Sequence, residues 1–262
     1  QQMFDTTIGW RFVNPELQVM YGVDSMPKTA ENVAVDYAVK RHDQDTFAWQ
    51  SQQRYAIADQ AGVFADEILP VTIEQRHGDP LIINRDEHPR PDTSLEKLAK
   101  LPGVNGSEST VTAGNASGIN DGAAALLLAS QAALSSHRLV PLARIVASAT
   151  AGVAPSIMGM GPVPSSQKAL AKAGLNIDDV EYFELNEAFS VVGLVNCKIL
   201  DINTKKVNVN GGAVSLGHPL GCSGARITVT LLNVLKQNNA QIGVAGICNG
   251  GGGASALVIK SL

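Results

Sequence analysis

The stretch "IGVAGICNGGGGASALVIK" (242–260) places two apolar segments on either side of four consecutive glycines. Both segments are short and rich in Val, Ile, Leu and Ala, which predicts two buried strands, 242–248 and 255–260. Glycine lacks a side chain and permits positive φ, so the run would let the chain pass close to a ligand with its N–H groups pointing inward. The alternative interpretation of the run is a flexible tail.

The same alternation continues upstream and predicts a layered α/β protein. From residue 109 onward, the other predicted strands are 142–150, 180–185 and 207–210, and the predicted helices are 165–174, 188–200 and one beginning at Ser223. Ser165 or Ser166 is the expected N-cap of the first of these helices. Gly- or Asn-rich stretches follow these elements, which indicates that the chemistry lies on loops at one edge of the sheet.

Residues 1–108 differ in composition from the rest of the chain, which predicts a separate layer of helices and loops. They hold both tryptophans and most of the charged residues. Two helices are expected there, over 29–40 and about 43–61. The polar stretch 76–100 predicts an irregular segment that either covers something or has no function of its own.

Composition excludes several classes of protein. The 262 residues are 45% hydrophobic and 17% charged, enough apolar material for one large domain or two ordinary ones. A net charge of −4, a pI near 5.7 and the lack of any Lys/Arg cluster argue against nucleic acid or membrane as partners. The start shows no signal segment, and three scattered cysteines indicate a reducing, cytoplasmic setting without a disulfide framework or metal site.

Three of the predicted loops carry the polar groups. Asn186 follows one strand, His218 stands between glycines, and Cys248 precedes the glycine run. Each has a common structural explanation: Asn caps helices, a His between glycines packs in a core, and a lone Cys behaves as a small hydrophobe. Because each residue is expected to follow a strand of the same sheet, together they predict a thiol, an imidazole and an amide within roughly two hydrogen-bond lengths of a common point, about 3 Å per bond.

The motifs "NEAF" (186–189), "GGAVSLGHPLGCSGAR" (211–226) and "CNGGGGAS" (248–255) resemble the C-terminal half of the thiolases in order and spacing. The resemblance extends upstream through "TVTAGNASGINDGA" (110–123), "IMGMGP" (157–162) and "TAENVA" (29–34), so it covers essentially the whole chain. Residues 5 to about 165 are similar to bacterial 3-oxoadipyl-CoA thiolases, whereas the later motifs are more similar to acetoacetyl-CoA thiolases. The subfamily stays open.

The resemblance implies the thiolase fold, layered α/β/α/β/α. It further implies a loop domain over 1–108, the last part of the N-terminal domain over 109–138 and the C-terminal domain over 139–262. The implied activity is condensation of two acetyl-CoA molecules, or thiolytic cleavage of a 3-oxoacyl-CoA by CoA, through an acyl-cysteine. CoA and acyl-CoA would be substrates, with no cofactor. A homodimer or homotetramer is expected.

The family's catalytic roles fall on four residues of this chain. Cys248 matches the thiol that moves the α-proton, and we expect nearby dipoles to bring its pKa from about 8.5 toward working pH. His218 matches the donor to the thioester oxygen, and Asn186 the residue that holds a water donating to that oxygen. The N–H of Gly250 matches one donor of a second oxyanion hole.

The family's binding roles carry over to positions spread along the chain. Ser117 and Ala113 match positions that touch the pantetheine arm, and Met158 and Phe189 match apolar positions lining it. Arg90 matches a basic residue near the CoA nucleotide, with a solvated surface arginine as the alternative. Ser25 stands before Met26, at a position where many acetoacetyl-type enzymes carry His. This difference favours the oxoadipyl interpretation, and it falls in the acyl pocket that the resemblance implies around Met26.

The resemblance also implies an absence. The family's nucleophilic cysteine precedes the loop domain, and neither Cys197 nor Cys222 matches it, so we expect a fragment that is inactive by itself. Two other classes stay open. One is a condensing enzyme of the ketoacyl-synthase kind, against which "CNGGGG" counts, and the other is a non-catalytic acyl-CoA-binding or assembly protein, which would explain the missing nucleophile.

Overall fold

The computed structural model describes Met3, Trp10 and residues 12–262, so residues 5–9 and 11 of the segment from 5 to about 165 lie outside the described residues. The helices are α1 (Pro15–Tyr21), α2 (Met26–Asp36), α3 (Arg41–Gln60), α4 (Leu95–Ala99), α5 (Gln131–His137), α6 (Pro162–Ala173), α7 (Ser190–Ile199), α8 (Ala213–Leu216) and α9 (Ser223–Gln237). The strands are β1 (Val71–Ile73), β2 (Leu81–Ile83), β3 (Ala143–Gly152), β4 (Tyr182–Leu185), β5 (Ile242–Cys248) and β6 (Gly253–Ser261). Within the described residues, no helix combines the length and apolarity needed to cross a bilayer.

Four strands form the central mixed sheet, in the order β3-β6-β5-β4. β4 and β5 run parallel, with Leu185 opposite Gly246, whereas β6 runs antiparallel to both β5 and β3. The glycine run is the turn between β5 and β6, so the flexible-tail interpretation is wrong. Gly251 and Gly252 adopt φ of 88° and 91°, values that favour glycine over every residue with a side chain.

The sheet separates two hydrophobic cores because side chains alternate along its strands. Val244 and Val258 belong to a large core with α2, α6 and α7. Their neighbours Ala245 and Ile259 belong to a second core formed with α9, whose Ile227, Leu231 and Leu235 are buried on one face. This period-2 division gives helix layers on both faces of the sheet, as the alternating pattern predicts.

Most of the predicted elements are present, with shifted ends. The strands 142–150, 180–185, 242–248 and 255–260 correspond to β3, β4, β5 and β6, and the helices near 43–61, 188–200 and from Ser223 correspond to α3, α7 and α9. The predicted helix 29–40 begins earlier, at Met26, and ends at Asp36. Helix α6 begins at Pro162, whose fixed φ suits the first helical position, so Ser165 and Ser166 lie inside the helix and the predicted cap is wrong.

Two further predictions need correction. Residues 207–210 form no strand: Val207 makes a single parallel bridge to Phe183, and Asn208 turns the chain with φ of 47°. The stretch 76–100 is less irregular than predicted, because β2 pairs with β1 as a hairpin and α4 follows it. Ser94 caps α4 by accepting a hydrogen bond from the Lys97 N–H at 3.3 Å.

Candidate active site

Asn186 lies directly after β4, beside the carboxyl end of β5. Its backbone N–H donates to the Gly246 carbonyl at 2.9 Å, which continues the parallel ladder by one residue. The side chain is only 2% exposed, and its Oδ1 has no hydrogen-bond partner among the described residues. A buried carbonyl oxygen without a partner is costly, so this position suits an added water or substrate group.

His218 lies in the loop between α8 and α9, not after a strand, and so the reason given for its convergence with Asn186 is wrong for this residue. It nevertheless reaches Asn186: the Asn186 Nδ2 and His218 Nε2 atoms are 3.5 Å apart. Its other ring nitrogen, Nδ1, lies 2.6 Å from the Ser223 hydroxyl oxygen. Burial, and to a smaller extent the Arg226 guanidinium, lowers the pKa of His218, which keeps the imidazole neutral at physiological pH.

Cys248 is the last residue of β5, two positions beyond the carbonyl that anchors Asn186. Its side chain belongs to the large core and is 7% exposed. Burial raises the pKa of the Cys248 thiol to about 11, so the expectation that nearby dipoles lower this pKa is wrong. The reason is that apolar surroundings disfavour the thiolate, and the thiol is therefore protonated at neutral pH.

The glycines after Cys248 have different surroundings. A Cβ on Gly252 would overlap the backbone carbonyl of Val153. The Val153 N–H in turn donates a hydrogen bond to the Gly252 carbonyl at 2.8 Å. Gly250 is exposed, and the nearest side chain to a Cβ placed there is Met26, at 3.8 Å. The glycine run thus packs closely against the Val153 backbone at Gly252 and leaves an open surface beside Met26 at Gly250.

Several predicted binding residues belong to the large core that contains Cys248, or lie beside the start of α7. Met158 and Phe189 lie in the same hydrophobic core as Cys248, and Met26 packs against that core. Ser117 is half-buried, and its N–H donates to the Ala188 carbonyl at 3.1 Å. This bond holds the segment around Ser117 beside the start of α7.

Two predicted binding residues do not join this group. Ala113 and Arg90 are both exposed. The Arg90 guanidinium donates to the carbonyls of Glu87, His88 and Pro89, within its own loop. Its backbone N–H donates to Gln52 on α3 at 2.8 Å, which fixes the loop although the guanidinium stays at the surface.

Two residues of the site were not singled out from the sequence. Asn120 accepts a hydrogen bond from the His218 N–H at 3.1 Å, and its Nδ2 lies 3.5 Å from His88 Nδ1. Ser223 contacts the His218 ring. Both residues lie inside the quoted motifs, but only their positions in space connect them to His218.

A buried carboxylate next to Asn186 holds the neighbouring elements together. Glu187 accepts hydrogen bonds from the Ser51 hydroxyl and the Asn208 amide, each at 2.8 Å, and from the Val214 N–H at 3.1 Å. Burial raises the pKa of Glu187, and these donors oppose the rise. The carboxyl group thereby ties α3 and α8 to the loop that carries Asn186.

Substituting Gly212 with Ala is expected to destabilise the protein by about 1 to 3 kcal/mol, because the new methyl would overlap the Glu187 carboxyl group. The matched control is Gly224→Ala, inside α9, where a Cβ meets nothing within 4 Å and Ala favours the helix. Urea unfolding of both variants tests this. A Gly212→Ala midpoint equal to that of the unsubstituted protein would show that the carboxylate can move away.

A second buried carboxylate lies on the face of β4 that points toward α9. Glu184 is 1% exposed, and its nearest cation is Arg226 on α9, with Oε2 and Nη1 3.6 Å apart. Burial raises the pKa of Glu184 to about 8, against the opposing effect of Arg226. Among the residues that the structure describes, no cluster of His, Cys, Asp and Glu could hold a metal ion.

Comparison with known proteins identifies the class to which this fold and site belong. The thiolase N-terminal domain matches residues 10–132 and the thiolase C-terminal domain matches residues 139–261. Together the two matches cover most of the chain, and the chain belongs to the thiolase family. The likeness to solved thiolases confirms the thiolase fold.

Individual relatives add detail. The chain is 56% identical over 262 residues to the beta-ketoadipyl-CoA thiolase of Pseudomonas aeruginosa, covering 99% of this chain and 65% of the relative. The structure matches the Bacillus anthracis acetyl-CoA acetyltransferase with a TM-score of 0.88 at 45% identity, covering 92% of this chain and 61% of the other. It also matches human mitochondrial 3-ketoacyl-CoA thiolase in complex with CoA, with a TM-score of 0.83 at 44% identity, covering 90% and 59%. The chain thus spans slightly less than two thirds of these relatives.

Proposed function

We propose that this chain is the larger part of a thiolase that cleaves a 3-oxoacyl-CoA with CoA, and that 3-oxoadipyl-CoA is its substrate. The observation that carries the proposal is the pairing of Asn186 with His218 beside the strand that ends in Cys248. This arrangement supplies an amide and an imidazole that can stabilise an enolate oxygen and a thiol that can transfer a proton, as carbon–carbon bond cleavage next to a thioester needs. The comparisons lend no support to the non-catalytic alternative.

In the proposed reaction, the acyl-cysteine forms on a thiol outside this chain, and cleavage leaves an enolate of acetyl-CoA. The imidazole of His218 and a water held by Asn186 donate to the thioester oxygen and stabilise its negative charge. For His218 this requires that Nε2 first take up a proton. The unpartnered, buried Oδ1 of Asn186 supports a role in holding such a water.

Cys248 supplies the proton in this scheme. Its S–H bond breaks as the α-carbon of the enolate takes the proton, giving acetyl-CoA and a thiolate. The thiolate then takes the proton of the incoming CoA thiol, whose sulfur attacks the acyl-cysteine. A thiol with a pKa of about 11 enters this cycle protonated, as a proton donor must.

The substrate assignment rests on the relatives and on one position in the sequence. The relative named as a beta-ketoadipyl-CoA thiolase is 56% identical, whereas the acetyl-CoA acetyltransferase of known structure is 45% identical. Ser25 replaces the histidine of many acetoacetyl-type enzymes and is adjacent to Met26, which faces Gly250. The acyl group is therefore assigned to the surface between Met26 and the glycine run.

The remaining expectations belong to the same proposal. The pantetheine arm would lie along Ser117, Met158 and Phe189, and the Gly250 N–H would donate to the acyl-cysteine carbonyl. CoA and acyl-CoA are the proposed substrates, without a cofactor or metal. The protein is proposed to be a cytoplasmic homodimer or homotetramer.

The test uses a completed protein, in which this chain is joined to the part of the Pseudomonas aeruginosa relative that it does not match. With CoA and 3-oxoadipyl-CoA, we expect acetyl-CoA and succinyl-CoA in equal amounts, identified by mass spectrometry. The value of kcat/KM should be higher for 3-oxoadipyl-CoA than for acetoacetyl-CoA. The reverse preference would overturn the substrate assignment, and no cleavage of either thioester would overturn the proposed function.

In the completed protein, His218→Ala is expected to lower kcat by ~10²- to 10³-fold, the usual effect of losing one oxyanion donor. The KM should change much less, because this interaction strengthens as the enolate forms. His42→Ala, which removes an exposed imidazole on α3, is the matched control. Unchanged turnover in His218→Ala would mean that this imidazole is structural.

A further inference from the structure

Ser223 has a contact that the proposed mechanism does not use. It is the first residue of α9, it is fully buried, and its hydroxyl oxygen lies 2.6 Å from His218 Nδ1. The same oxygen lies 3.0 Å from the Pro219 carbonyl oxygen. One hydroxyl group is therefore shared between a ring nitrogen and a carbonyl.

The protons of these groups can be assigned from their chemistry. A serine hydroxyl has one proton to donate and can also accept, whereas a carbonyl oxygen can only accept. If the hydroxyl donates to Pro219, its oxygen must accept from Nδ1–H. A neutral imidazole carries one proton, so His218 Nε2 is then unprotonated.

The other side of the ring gives the same assignment. Asn186 Nδ2, which can only donate, faces His218 Nε2 at 3.5 Å. A proton on Nε2 would set two N–H groups against each other in a buried site, whereas a bare Nε2 accepts from the amide. Burial and the Arg226 guanidinium both lower the pKa of His218, which is consistent with a neutral ring.

We propose that Ser223 is a positioning residue that holds His218 in the Nδ1–H tautomer and so presents Nε2 as the proton acceptor toward Asn186. The catalytic meaning of this assignment rests on the proposed function. In the resting site Nε2 is therefore bare and can accept a proton. It can donate to a thioester oxygen only once it carries one.

The tautomer is measured in the completed protein labelled with ¹⁵N-histidine, because protonated and unprotonated ring nitrogens have well-separated ¹⁵N chemical shifts. At neutral pH we expect His218 Nδ1 to carry the proton and Nε2 to be bare. Ser223→Ala should shift protonation toward Nε2 and lower kcat by ~10- to 100-fold, by analogy with the loss of a residue that orients a metal-ligating histidine. Ser223→Thr, which keeps the hydroxyl, should restore the Nδ1–H signal and most of the turnover.

Ser165→Ala is the matched control. Ser165 is also fully buried in the first turn of a helix, α6, and its hydroxyl donates to the Pro162 carbonyl at 3.2 Å. This variant should leave both the His218 signals and kcat unchanged. A protonated Nε2 in the unsubstituted protein would overturn the inference. An unchanged Nδ1–H signal in Ser223→Ala would overturn it as well. If Ser223→Ala fails to fold, the signals of the unsubstituted protein and of Ser223→Thr decide. Because the tautomer is read without turnover, an inactive protein with a protonated Nδ1 refutes the proposed function and leaves the tautomer assignment standing.

Discussion

Replacing Cys248 with Ala in the completed protein is expected to lower turnover of 3-oxoadipyl-CoA by ~10²- to 10⁴-fold, the range attributed to a positioned general acid or base. The enolate of acetyl-CoA would then have to take its proton from water. The substitution deletes one sulfur atom from a buried position and leaves only a small cavity, so the fold should be retained. The measurement is the rate of acetyl-CoA release at saturating CoA.

Cys197→Ala is the matched control for this substitution. Cys197 is buried in the same core, in α7, and burial raises the pKa of its thiol to about 12. Removing it should cost some stability through the small cavity left behind and leave turnover unchanged. A second measurement isolates the proton transfer: exchange of the acetyl-CoA methyl protons with D₂O should be lost only in Cys248→Ala. Turnover of Cys248→Ala within threefold of the unsubstituted protein would remove this thiol from the mechanism.

The 262-residue chain by itself is expected to form no acyl-enzyme and to show no turnover, whereas the completed protein should do both. Burial raises the pKa of all three cysteine thiols: to about 12 for Cys197, to about 11 for Cys248, and in the same direction for Cys222. A protonated thiol is a poor nucleophile, so none of the three is suited to attack a thioester. Incubation with acetyl-CoA followed by intact-mass measurement tests this directly.

The chain by itself is also expected to be marginally stable or to aggregate. A run of large apolar side chains is exposed from the segment before α5 into β3: Leu127 is 82% exposed, Leu128 73%, Val140 87% and Leu142 66%. Covering such a surface contributes ~25 cal/mol per Å² to stability, and the segment that completes the protein would supply the cover. A stoichiometric acetyl adduct on the chain, together with measurable cleavage, would show that one of its own thiols is the nucleophile.

The parts of the fold that could be predicted from sequence are those set by local pattern. β5 and β6 are continuous apolar runs separated by glycines, and α9 carries its apolar residues at helical spacing. The prediction of a strand over 207–210 was wrong because the Asn208 side chain bonds to the end of β4. Its side chain accepts from the Leu185 N–H and donates to the Leu185 carbonyl, so it finishes β4 and the chain turns away.

The candidate site divides in the same way. Asn186 and Cys248 could be placed at one sheet edge because each ends a strand. The approach of His218 to Asn186 could not be derived that way, because it depends on α8, on Asn120 and on the start of α9. The pKa shift of Cys248 was also predicted in the wrong direction, since its burial in the large core is a property of the assembled fold.

The Glu187 carboxylate affects which segments of this protein can unfold locally. A segment that covers a site usually unfolds locally at low free-energy cost while the rest of the molecule stays intact. Here α3 cannot separate without breaking the Ser51–Glu187 bond, and that would leave part of a fully buried carboxyl group without its donor. We therefore expect helix α3, the Asn186 loop and α8 to unfold as one cooperative unit, so that their amide protons exchange with solvent together.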